Sequence, residues 1–438
     1  MPKMTPDDAR ALMQKALGQS KAEYCSVFLN GSRDGNLRYA RNSVTTAGIT
    51  ENTSMSISAS FGKRTGTAQL NEFSDNAIAA AVQRAEELAQ LAPENPEFMP
   101  PLEPQQYAAS NGWFEATAKI APEERARWAA SSINPAKAKG CTAAGYLEDS
   151  AGFSALLNSK GLFSYYDETG VNFSVTVRSD DGTGSGYVTR DENDVSRLDV
   201  AGASAIALEK AVASRDARAI EPGKYTVILE PEASVELIQN MMFNMDARNA
   251  DEGRSFLAKQ GGGTRVGEKL MDERVSIWSD PSDPDVPARP WSFDGRRQTR
   301  RSWIENGVVK SPFYSRYWAE KQGTEAVPPP ANIIMKGGEG SLADLIRDTT
   351  RGLLVTRTWY IRTVDPQTLL YTGLTRDGTF FIEDGKIKHA VKNFRFNESP
   401  VIMLNNLDAL AKPQRIRGNL IPPMRVRDFT FTSLSDAV

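Results

Sequence analysis

The histidine and cysteine content limits the metal chemistry available to this chain. His389 is the only histidine among 438 residues, and Cys25 and Cys141 are the only cysteines. Zinc sites use imidazole, thiolate and carboxylate ligands, so a site with two histidines is excluded. A joint site of both cysteines with the histidine is disfavoured, because the three residues lie in different predicted elements and lack ligand spacing. His389 is more simply interpreted as an ordinary surface or half-buried residue.

An acidic segment at residues 280–285 has the sequence Asp-Pro-Ser-Asp-Pro-Asp. Carboxylate-rich loops can bind calcium, but the twelve-residue calcium loop needs a central glycine and a terminal glutamate, which are absent here. We therefore interpret this segment as a solvated acidic loop.

A basic run at residues 296–301, Arg-Arg-Gln-Thr-Arg-Arg, lies between Trp291 and Trp303. Basic residues interleaved with aromatic ones can hold nucleic acid or an acidic peptide. The alternative is a charged surface beside buried tryptophans. If the run binds a ligand, an acidic segment of a partner or substrate suits the net charge of −3 better than DNA does.

Two arginines and a tryptophan form a further candidate site. Arg357 and Trp359 lie within residues 356–362, which are predicted to form a strand, and Arg376 opens a predicted hairpin. A guanidinium can fork onto a peptide carboxylate or carbonyl. The structural alternative is an ion pair of Arg376 with Asp377 or Asp365. The sequence leaves both interpretations open.

The N-terminal half alternates helix and strand signals. A helix should begin at Thr5, which can cap it, and end at Gly18. Strands are predicted over residues 22–29, 54–60, 65–70, 145–157 and 163–177, and Ser74 caps an amphipathic helix. The proline-rich residues 93–104 form either a stiff connector or a cap over a neighbouring surface.

The C-terminal half has mostly β character. A helix over residues 199–213 is followed by a break, so the domain boundary is placed near residue 218, before a strand at 224–229. Ser341 should cap a helix over 342–350 that Gly352 closes. Asp384-Gly385 between two apolar runs predicts a two-residue hairpin.

Composition narrows the class of protein and its location. The chain carries a net charge of −3 and no basic excess, which argues against a nucleic-acid partner. It lacks the run of about 18 apolar residues that a membrane span requires. The first eight residues contain no hydrophobic signal core, and two cysteines are too few for a disulfide scaffold, so a cytoplasmic location is expected.

Several segments, in order, resemble the TldD/PmbA family of zinc metalloproteases. In the N-terminal half, residues 37–43 are similar to an early strand of that family, residues 61–66 to its Gly-x-Arg-x-Gly turn, and residues 74–96 to its helix and Pro-Glu-x-Pro linker. The C-terminal matches are residues 222–231, 303–308, 352–355 and 378–387. Each motif is weak alone, but their number and order make the resemblance specific, and it covers nearly the whole chain.

The resemblance implies an α+β fold with two domains. Residues 1–218 would form an N-terminal α/β-type domain, and residues 219–438 an antiparallel, β-rich, barrel-like domain with flanking helices. It also implies a dimer around an enclosed chamber, whose interior Arg357, Trp359 and Arg376 would line as peptide contacts.

The zinc motif of the catalytic subunits of the family, His-Glu-x-x-x-His, is replaced in this chain. The matching residues 239–244 place Gln239, Asn240 and Asn244 at the three functional positions. Carboxamides are poor zinc ligands and cannot act as the general base, and no cysteine follows Cys141. The helix also carries an apolar stripe that includes Met241, which indicates core packing, although a methionine-rich surface for varied partners is an alternative.

The resemblance therefore implies a non-catalytic subunit of the PmbA, TldE-like type. We expect no cofactor and no catalytic residue in this chain, and zinc in a TldD-like catalytic partner subunit. The pair would act on unfolded or short peptides. The alternatives are a stand-alone homodimer that binds peptides or modulates gyrase without protease activity, and an enzyme with a relocated metal site.

Overall fold

The N-terminal helix begins where its capping chemistry predicts. The structure, a computed structural model, describes residues 4–435, so the first three of the eight residues considered for a signal core lie outside it. Helix α1 (Pro6–Gln19) begins after Thr5, whose hydroxyl accepts a hydrogen bond from the amide of Asp8. It continues to Gln19 because Gly18 does not adopt the left-handed conformation that ends helices.

One antiparallel sheet organises the N-terminal half, with six strands in the order β3-β2-β1-β4-β5-β6. The strands are longer than the sequence patterns predict, because their polar faces also continue in extended conformation. They are β1 (Tyr24–Ala40), β2 (Ser43–Phe61), β3 (Arg64–Leu70), β4 (Cys141–Asn158), β5 (Phe163–Ser179) and β6 (Ser185–Glu192).

Helices cover one face of this sheet. Val27 and Leu29 of β1 pack in a core with α1 and α2, whereas Leu37 and Tyr39 pack in a second core with α4 and α5. Side chains alternate between faces along a strand, so the residues between these positions lie on the opposite face. The helices are α2 (Asp75–Leu91), α3 (Glu115–Ala118), α4 (Pro122–Ala138) and α5 (Val200–Ala213), with a 3₁₀ turn at Val195–Arg197.

The proline-rich connector is a cap over the C-terminal half, as the second interpretation of the sequence proposed. We call residues 93–112 the strap. Glu97 accepts from Arg248 at 2.8 Å, and the carbonyl of Pro100 accepts from Arg316 at 2.6 Å. Further along, the hydroxyl of Tyr107 donates to a backbone carbonyl at 2.7 Å. These contacts fasten an extended segment to the surface it crosses.

The C-terminal half contains two further sheets and five helices among the described residues. The helices are α6 (Pro231–Phe243), α7 (Ala247–Asp251), α8 (Arg316–Gln322), α9 (Leu342–Arg347) and α10 (Pro400–Asn405). The strands are β7 (Lys224–Leu229), β8 (Ile277–Ser279), β9 (Arg301–Glu305), β10 (Val308–Val309), β11 (Ile334–Met335), β12 (Arg351–Asp365), β13 (Leu370–Glu383), β14 (Lys386–Ala390), β15 (Phe394–Glu398), β16 (Leu407–Leu410), β17 (Gln414–Ile416), β18 (Asn419–Ile421) and β19 (Met424–Leu434).

The larger of these sheets closes on itself. Its strands run β12-β7-β19-β15-β13-β14, and β12 also pairs with β13, so five strands form a barrel-like ring. The second sheet has the order β10-β9-β8-β11-β18-β17. Helix α6 packs in the same apolar core as the barrel strands. The predicted α+β fold with a barrel-like C-terminal part is therefore confirmed.

Two local predictions in this half have different outcomes. Glu383 pairs with Lys386 across Asp384 and Gly385, which have φ of 52° and 72°, so the predicted two-residue hairpin is confirmed. Helix α9 is capped by Ser341 as predicted but ends at Arg347. The prediction that it continues to residue 350 was wrong, because the chain turns there into strand β12.

The predicted domain boundary near residue 218 stays a prediction.

Among the described residues, no helix is long and apolar enough to cross a bilayer.

Candidate functional site

Helix α6, which carries the replaced zinc motif, belongs mainly to the hydrophobic core. Pro231 occupies its first turn, where the missing amide hydrogen costs nothing. The predicted apolar stripe is fully buried, so the core interpretation is confirmed and the alternative of a methionine-rich surface was wrong. The stripe consists of Val235, Ile238, Met241, Met242 and Met245, each at 0% exposure.

One of the carboxamides at the motif positions, that of Asn244, is hydrogen-bonded to the backbone. Gln239, Asn240 and Asn244 are all half-buried. The side-chain amide of Asn244, which follows the last helical residue, donates to the carbonyl of Asn240 at 2.8 Å. An amide nitrogen committed in this way is a donor and cannot ligate a cation, and amide oxygens are poor zinc ligands. These residues therefore do not fit a catalytic zinc ion.

The two cysteines and the histidine, considered as alternative zinc ligands, do not lie together in the structure. Cys25 and Cys141 are buried in β1 and β4 of the first sheet, whereas His389 lies in β14. The His389 ring stacks on Phe381 with centroids 5.3 Å apart, and its Nδ1 lies 3.0 Å from the carbonyl of Ala390. Within residues 4–435, no group of three or more histidine, cysteine, aspartate or glutamate side chains could hold a metal ion.

The structure brings Arg357, Trp359 and Arg376 together. Arg357 and Arg376 are directly opposite each other on strands β12 and β13. Their guanidinium carbons lie 4.7 Å and 5.3 Å from the centroid of the Trp359 ring. The indole, which is 41% exposed, therefore lies against two cations. Cation–π contacts of this kind orient the ring and leave part of its surface available to a ligand.

Asp377 holds this cluster in place. Its carboxylate accepts from Arg357 at 3.0 Å and from the hydroxyl of Ser185 at 2.6 Å, and it is 1% exposed. Arg376 lies farther from it, with Nε 3.9 Å from Oδ2. The ion pair expected from the sequence is thus made chiefly by Arg357. Asp365, the other predicted partner, accepts instead from residues of its own turn.

Tyr187 on strand β6 completes the cluster from the N-terminal half. The Arg357 guanidinium lies 3.9 Å from the centroid of its ring, and burial raises the pKa of the Tyr187 hydroxyl. Sequence analysis did not identify this residue. A single tyrosine in an alternating strand carries no signal that an arginine of the other half will stack on it.

Two ion pairs hold the start of helix α6 next to this cluster. Lys210 of α5 donates to Glu230 at 2.7 Å, and Glu232 at the start of α6 accepts from Arg417 at 2.6 Å. Burial raises the pKa of the Glu232 carboxyl, although Arg417 opposes the shift. The Lys210–Glu230 pair is largely excluded from water and joins α5 to the residue before α6, whereas Arg417, in the same half as Glu232, is 42% exposed.

The face of the first sheet that lacks helices forms the floor of a polar cleft of about 450 Å³. Cross-strand neighbours share a face, so the register places Ser32, Gly152 and Glu168 side by side on this floor. Hydroxyl, amide and carboxylate groups dominate the lining, including Asn30, Ser32, Asp34, Ser150, Ser154, Glu168 and Asn172. Such a surface suits contact with water or with a polar peptide backbone.

The acidic loop at residues 280–285 contacts other segments more than its composition predicts. Asp285 pairs with Arg197 at 2.7 Å. The carbonyl of Pro281 accepts from Ser110 in the strap at 2.7 Å. The interpretation of this segment as a simple solvated loop was thus partly wrong. The segment joins the C-terminal half to the strap and to the 3₁₀ turn after β6.

The tryptophans that flank the basic run are buried, as the structural interpretation expects. Trp291 and Trp303 are each 1% exposed. Arg296 within the run pairs with Asp294 at 2.8 Å. The run therefore lies at the surface over two buried indoles.

Comparison with known proteins identifies three consecutive matches to family models. Residues 25–89 match the PmbA/TldA metallopeptidase domain 1, residues 115–215 the central domain, and residues 222–433 the C-terminal domain. Sequence relatives carry the description metalloprotease. One from Methanothermobacter thermautotrophicus is 26% identical over 294 residues, which are 60% of this chain and 61% of the relative's length. Another from Archaeoglobus fulgidus is 39% identical over 59 residues, 14% of each chain.

Solved structures share the fold over nearly the full length. TldE from Thermococcus kodakarensis superposes with a TM-score of 0.87 at 19% identity, covering 97% of this chain and 99% of the other. A protein from Thermotoga maritima, described as a proposed modulator of DNA gyrase, gives a TM-score of 0.86 at 17% identity, covering 97% and 100%. At these identities the structures establish a common fold.

Proposed function

This chain belongs to the PmbA/TldD metallopeptidase family, and on that premise we propose that it is the non-catalytic, TldE-like subunit of a metalloprotease complex. A TldD-like partner supplies zinc and the general base. This chain supplies walls of the chamber, contacts to unfolded or short peptides, and the surface that binds the partner. The complex acts in the cytoplasm, where a reducing medium suits two free, buried cysteines.

The ligand chemistry of helix α6 is the observation that carries this proposal. Gln239, Asn240 and Asn244 occupy the positions of two imidazoles and a carboxylate, and the Asn244 amide is hydrogen-bonded to its own helix. Without a proton acceptor of suitable pKa, these side chains cannot activate a water molecule. The chemical step therefore belongs to another chain.

The Arg357–Trp359–Arg376 cluster supports the peptide-binding part of the proposal. Its indole has an exposed face beside two guanidinium groups. An aromatic face with adjacent cations can pack against an apolar or aromatic side chain and accept a peptide carbonyl or carboxylate. Asp377 keeps the cluster rigid, which lowers the entropic cost of binding.

Co-purification followed by a cleavage assay tests the proposed function. This chain is co-expressed with a family member that carries His-Glu-x-x-x-His, and cleavage of an unfolded peptide is compared for each chain alone and for the pair. We expect a stable heterodimer, no cleavage by this chain alone, and faster cleavage by the pair than by the partner alone.

Two results would oppose this proposal. Cleavage by the isolated chain, abolished by a chelator, would establish a relocated metal site. A chain that pairs only with itself, binds peptides and leaves the partner's cleavage rate unchanged would favour the stand-alone homodimer. In the homodimer case, loss of peptide binding in Trp359→Ala would still identify the cluster as the peptide contact.

A further inference from the structure

A cavity of about 490 Å³ lies between the strap and the C-terminal half. Met99, Leu102 and Gln105 of the strap line one side. The other sides of the cavity are lined by the basic run at residues 296–301, by helix α8, and by the segment that follows α8. This volume is within the range of small-molecule and peptide-side-chain sites. Neither the zinc motif nor the Arg357–Trp359–Arg376 cluster borders it.

Guanidinium groups dominate the charge of this cavity. The lining contains four arginines and two glutamates, namely Arg296, Arg297, Arg301, Arg316, Glu320 and Glu325. Concave surfaces with an excess of one charge concentrate ligands of the opposite charge.

Two of these arginines are already neutralised by carboxylates. The Arg296 guanidinium donates to Asp294 at 2.8 Å and to the carbonyl of Tyr314 at 2.6 Å. Arg301 lies 3.5 Å from Glu325. These two residues shape the wall of the cavity and add little to its net charge.

The other two arginines are not neutralised by an ion pair. Within residues 4–435, Arg297 makes no ion pair or side-chain hydrogen bond. Arg316 donates to the neutral carbonyl of Pro100 at 2.6 Å. Burial, aided by the charge of Arg296, lowers the pKa of Arg316. The carboxylates near Arg316 are Asp294, which already pairs with Arg296, and the exposed Glu320, so an anion entering the cavity meets one uncompensated positive charge.

We propose that this cavity binds the carboxylate of a peptide, with Arg297 and Arg316 as its charged contacts. Guanidinium groups recognise carboxylates through paired hydrogen bonds. The two glutamates keep the net charge low, which favours a single carboxylate over a multiply charged phosphate. Met99, Leu102 and Pro328 offer apolar surface for the organic part of the ligand.

This proposal does not depend on the metalloprotease complex, because every residue involved belongs to one chain. Calorimetric titration of the isolated chain with N-acetyl-trialanine, and with the same peptide amidated at its C-terminus, tests it. We expect saturable binding of the free carboxylate and binding at least about tenfold weaker for the amide, since a charged hydrogen bond contributes about 1.5–3 kcal/mol. Inorganic phosphate should bind more weakly than the carboxylate peptide.

Matched variants locate the binding. Arg297→Gln should weaken binding about tenfold. Arg300→Gln removes the same charge three positions along, from an exposed arginine that lies 5.9 Å from the Trp278 ring centroid and does not line the cavity. It should change affinity by less than about twofold, because Arg300 does not line the cavity and the charge of an exposed arginine is screened by salt. Trp359→Ala distinguishes the two peptide contacts, because binding that persists in this variant and is weakened by Arg297→Gln belongs to the cavity.

Three outcomes would overturn the proposal. They are absence of saturable binding at millimolar peptide, equal weakening by Arg297→Gln and Arg300→Gln, and tighter binding of phosphate than of the carboxylate peptide. Both arginines are exposed, so thermal unfolding of each variant should match that of the parent chain and exclude a folding defect.

Discussion

Arg357 and Asp377 form an ion pair across strands β12 and β13, with Nη1 3.0 Å from Oδ2. Their side chains are only 14% and 1% exposed. Asp377 has a φ of 56°, a left-handed conformation that aspartate and asparagine tolerate better than most residues. The pair therefore fixes both the backbone in the middle of strand β13 and the guanidinium that supports Trp359.

Asp377→Asn tests the structural contribution of this pair. Asparagine keeps the shape and the left-handed backbone but leaves the buried Arg357 charge without its counterion. We expect the free energy of unfolding to fall by about 3 kcal/mol, measured by urea denaturation. Asp75→Asn, which removes the exposed partner of Lys15, is the control and should cause no measurable change. Equal stability of the two variants would contradict the assigned role.

Trp359→Ala tests the proposed peptide contact. The indole is partly exposed and packs against arginines rather than in the core, so its removal should cost the fold about 1 kcal/mol at most. Cleavage of a peptide by the reconstituted complex should fall about tenfold in kcat/KM, as expected when a binding aromatic is truncated. Leu91→Ala, at an 82% exposed position on α2, is the surface control. Unchanged cleavage by Trp359→Ala would remove the cluster from the peptide-binding surface.

Local sequence signals predicted much of the secondary structure but underestimated the strands. The helix caps at Thr5 and Ser341 and the turn at Asp384-Gly385 depend on residues that are close in sequence. They could therefore be predicted from the sequence alone. Strand β1 extends well beyond the predicted segment because its polar residues alternate towards the cleft, and residues 43–52 of β2 pair with it as an exposed extension. In the sequence, such residues resemble a loop.

The composition of the candidate site was predictable, but its geometry was not. The strand pattern identified Arg357 and Trp359, and the family motif identified the carboxamides of α6. The stacking of Tyr187 on Arg357 and the ion pair of Glu232 with Arg417 join residues distant in sequence. Such contacts depend on how the three sheets and helix α6 pack together, which local periodicity does not specify.

The donor set of α6 also predicts the metal content of the purified chain. Carboxamides at the motif positions should not retain zinc through purification, so mass spectrometry of the metal should find fewer than about 0.1 zinc ions per chain. The catalytic partner prepared in parallel is the positive control. One zinc ion per chain of the isolated protein, lost in Asn244→Ala, would contradict the proposed division of labour.

Glu398 gives the fold a pH dependence with a defined sign. It is 4% exposed, and burial raises the pKa of its carboxyl above the ordinary value of 4.5. Between 4.5 and the raised value, the folded state holds a proton that the unfolded state has released. Unfolding then releases a proton, so the contribution of Glu398 to stability is present below pH 4.5 and is lost as pH rises through the raised value.

Glu398→Gln cannot titrate, which makes this contribution measurable. The unfolding free energy of the parent chain minus that of the variant should decrease from about pH 4.5 towards neutrality. Chemical denaturation at a series of pH values provides the curve. Glu339→Gln removes a carboxylate from an exposed loop and controls for the loss of charge. A difference that stays constant or grows with pH would show that burial does not govern this group.

The strap should open more readily when its hydrogen bonds are removed. The Tyr107 hydroxyl donates to the carbonyl of Gly295 at 2.7 Å, and burial raises the pKa of Tyr107 to about 12. Tyr107→Phe removes one hydrogen bond, worth about 1 kcal/mol, and should therefore increase the open population about fivefold. Limited digestion with proteinase K, with fragments mapped by mass spectrometry, should show faster cleavage within residues 93–112.

Tyr146→Phe is the matched control for this measurement. It removes a hydroxyl from a 38% exposed tyrosine on β4, outside the strap, where the bond to Glu148 is 3.3 Å long. Its digestion should follow that of the parent chain. If Tyr107→Phe is cut no faster within the strap, or if cleavage accelerates elsewhere instead, the hydrogen bond to Gly295 does not fasten the strap. The remaining contacts, which include those of Glu97, Pro100 and Ser110, would then hold this segment over the cavity.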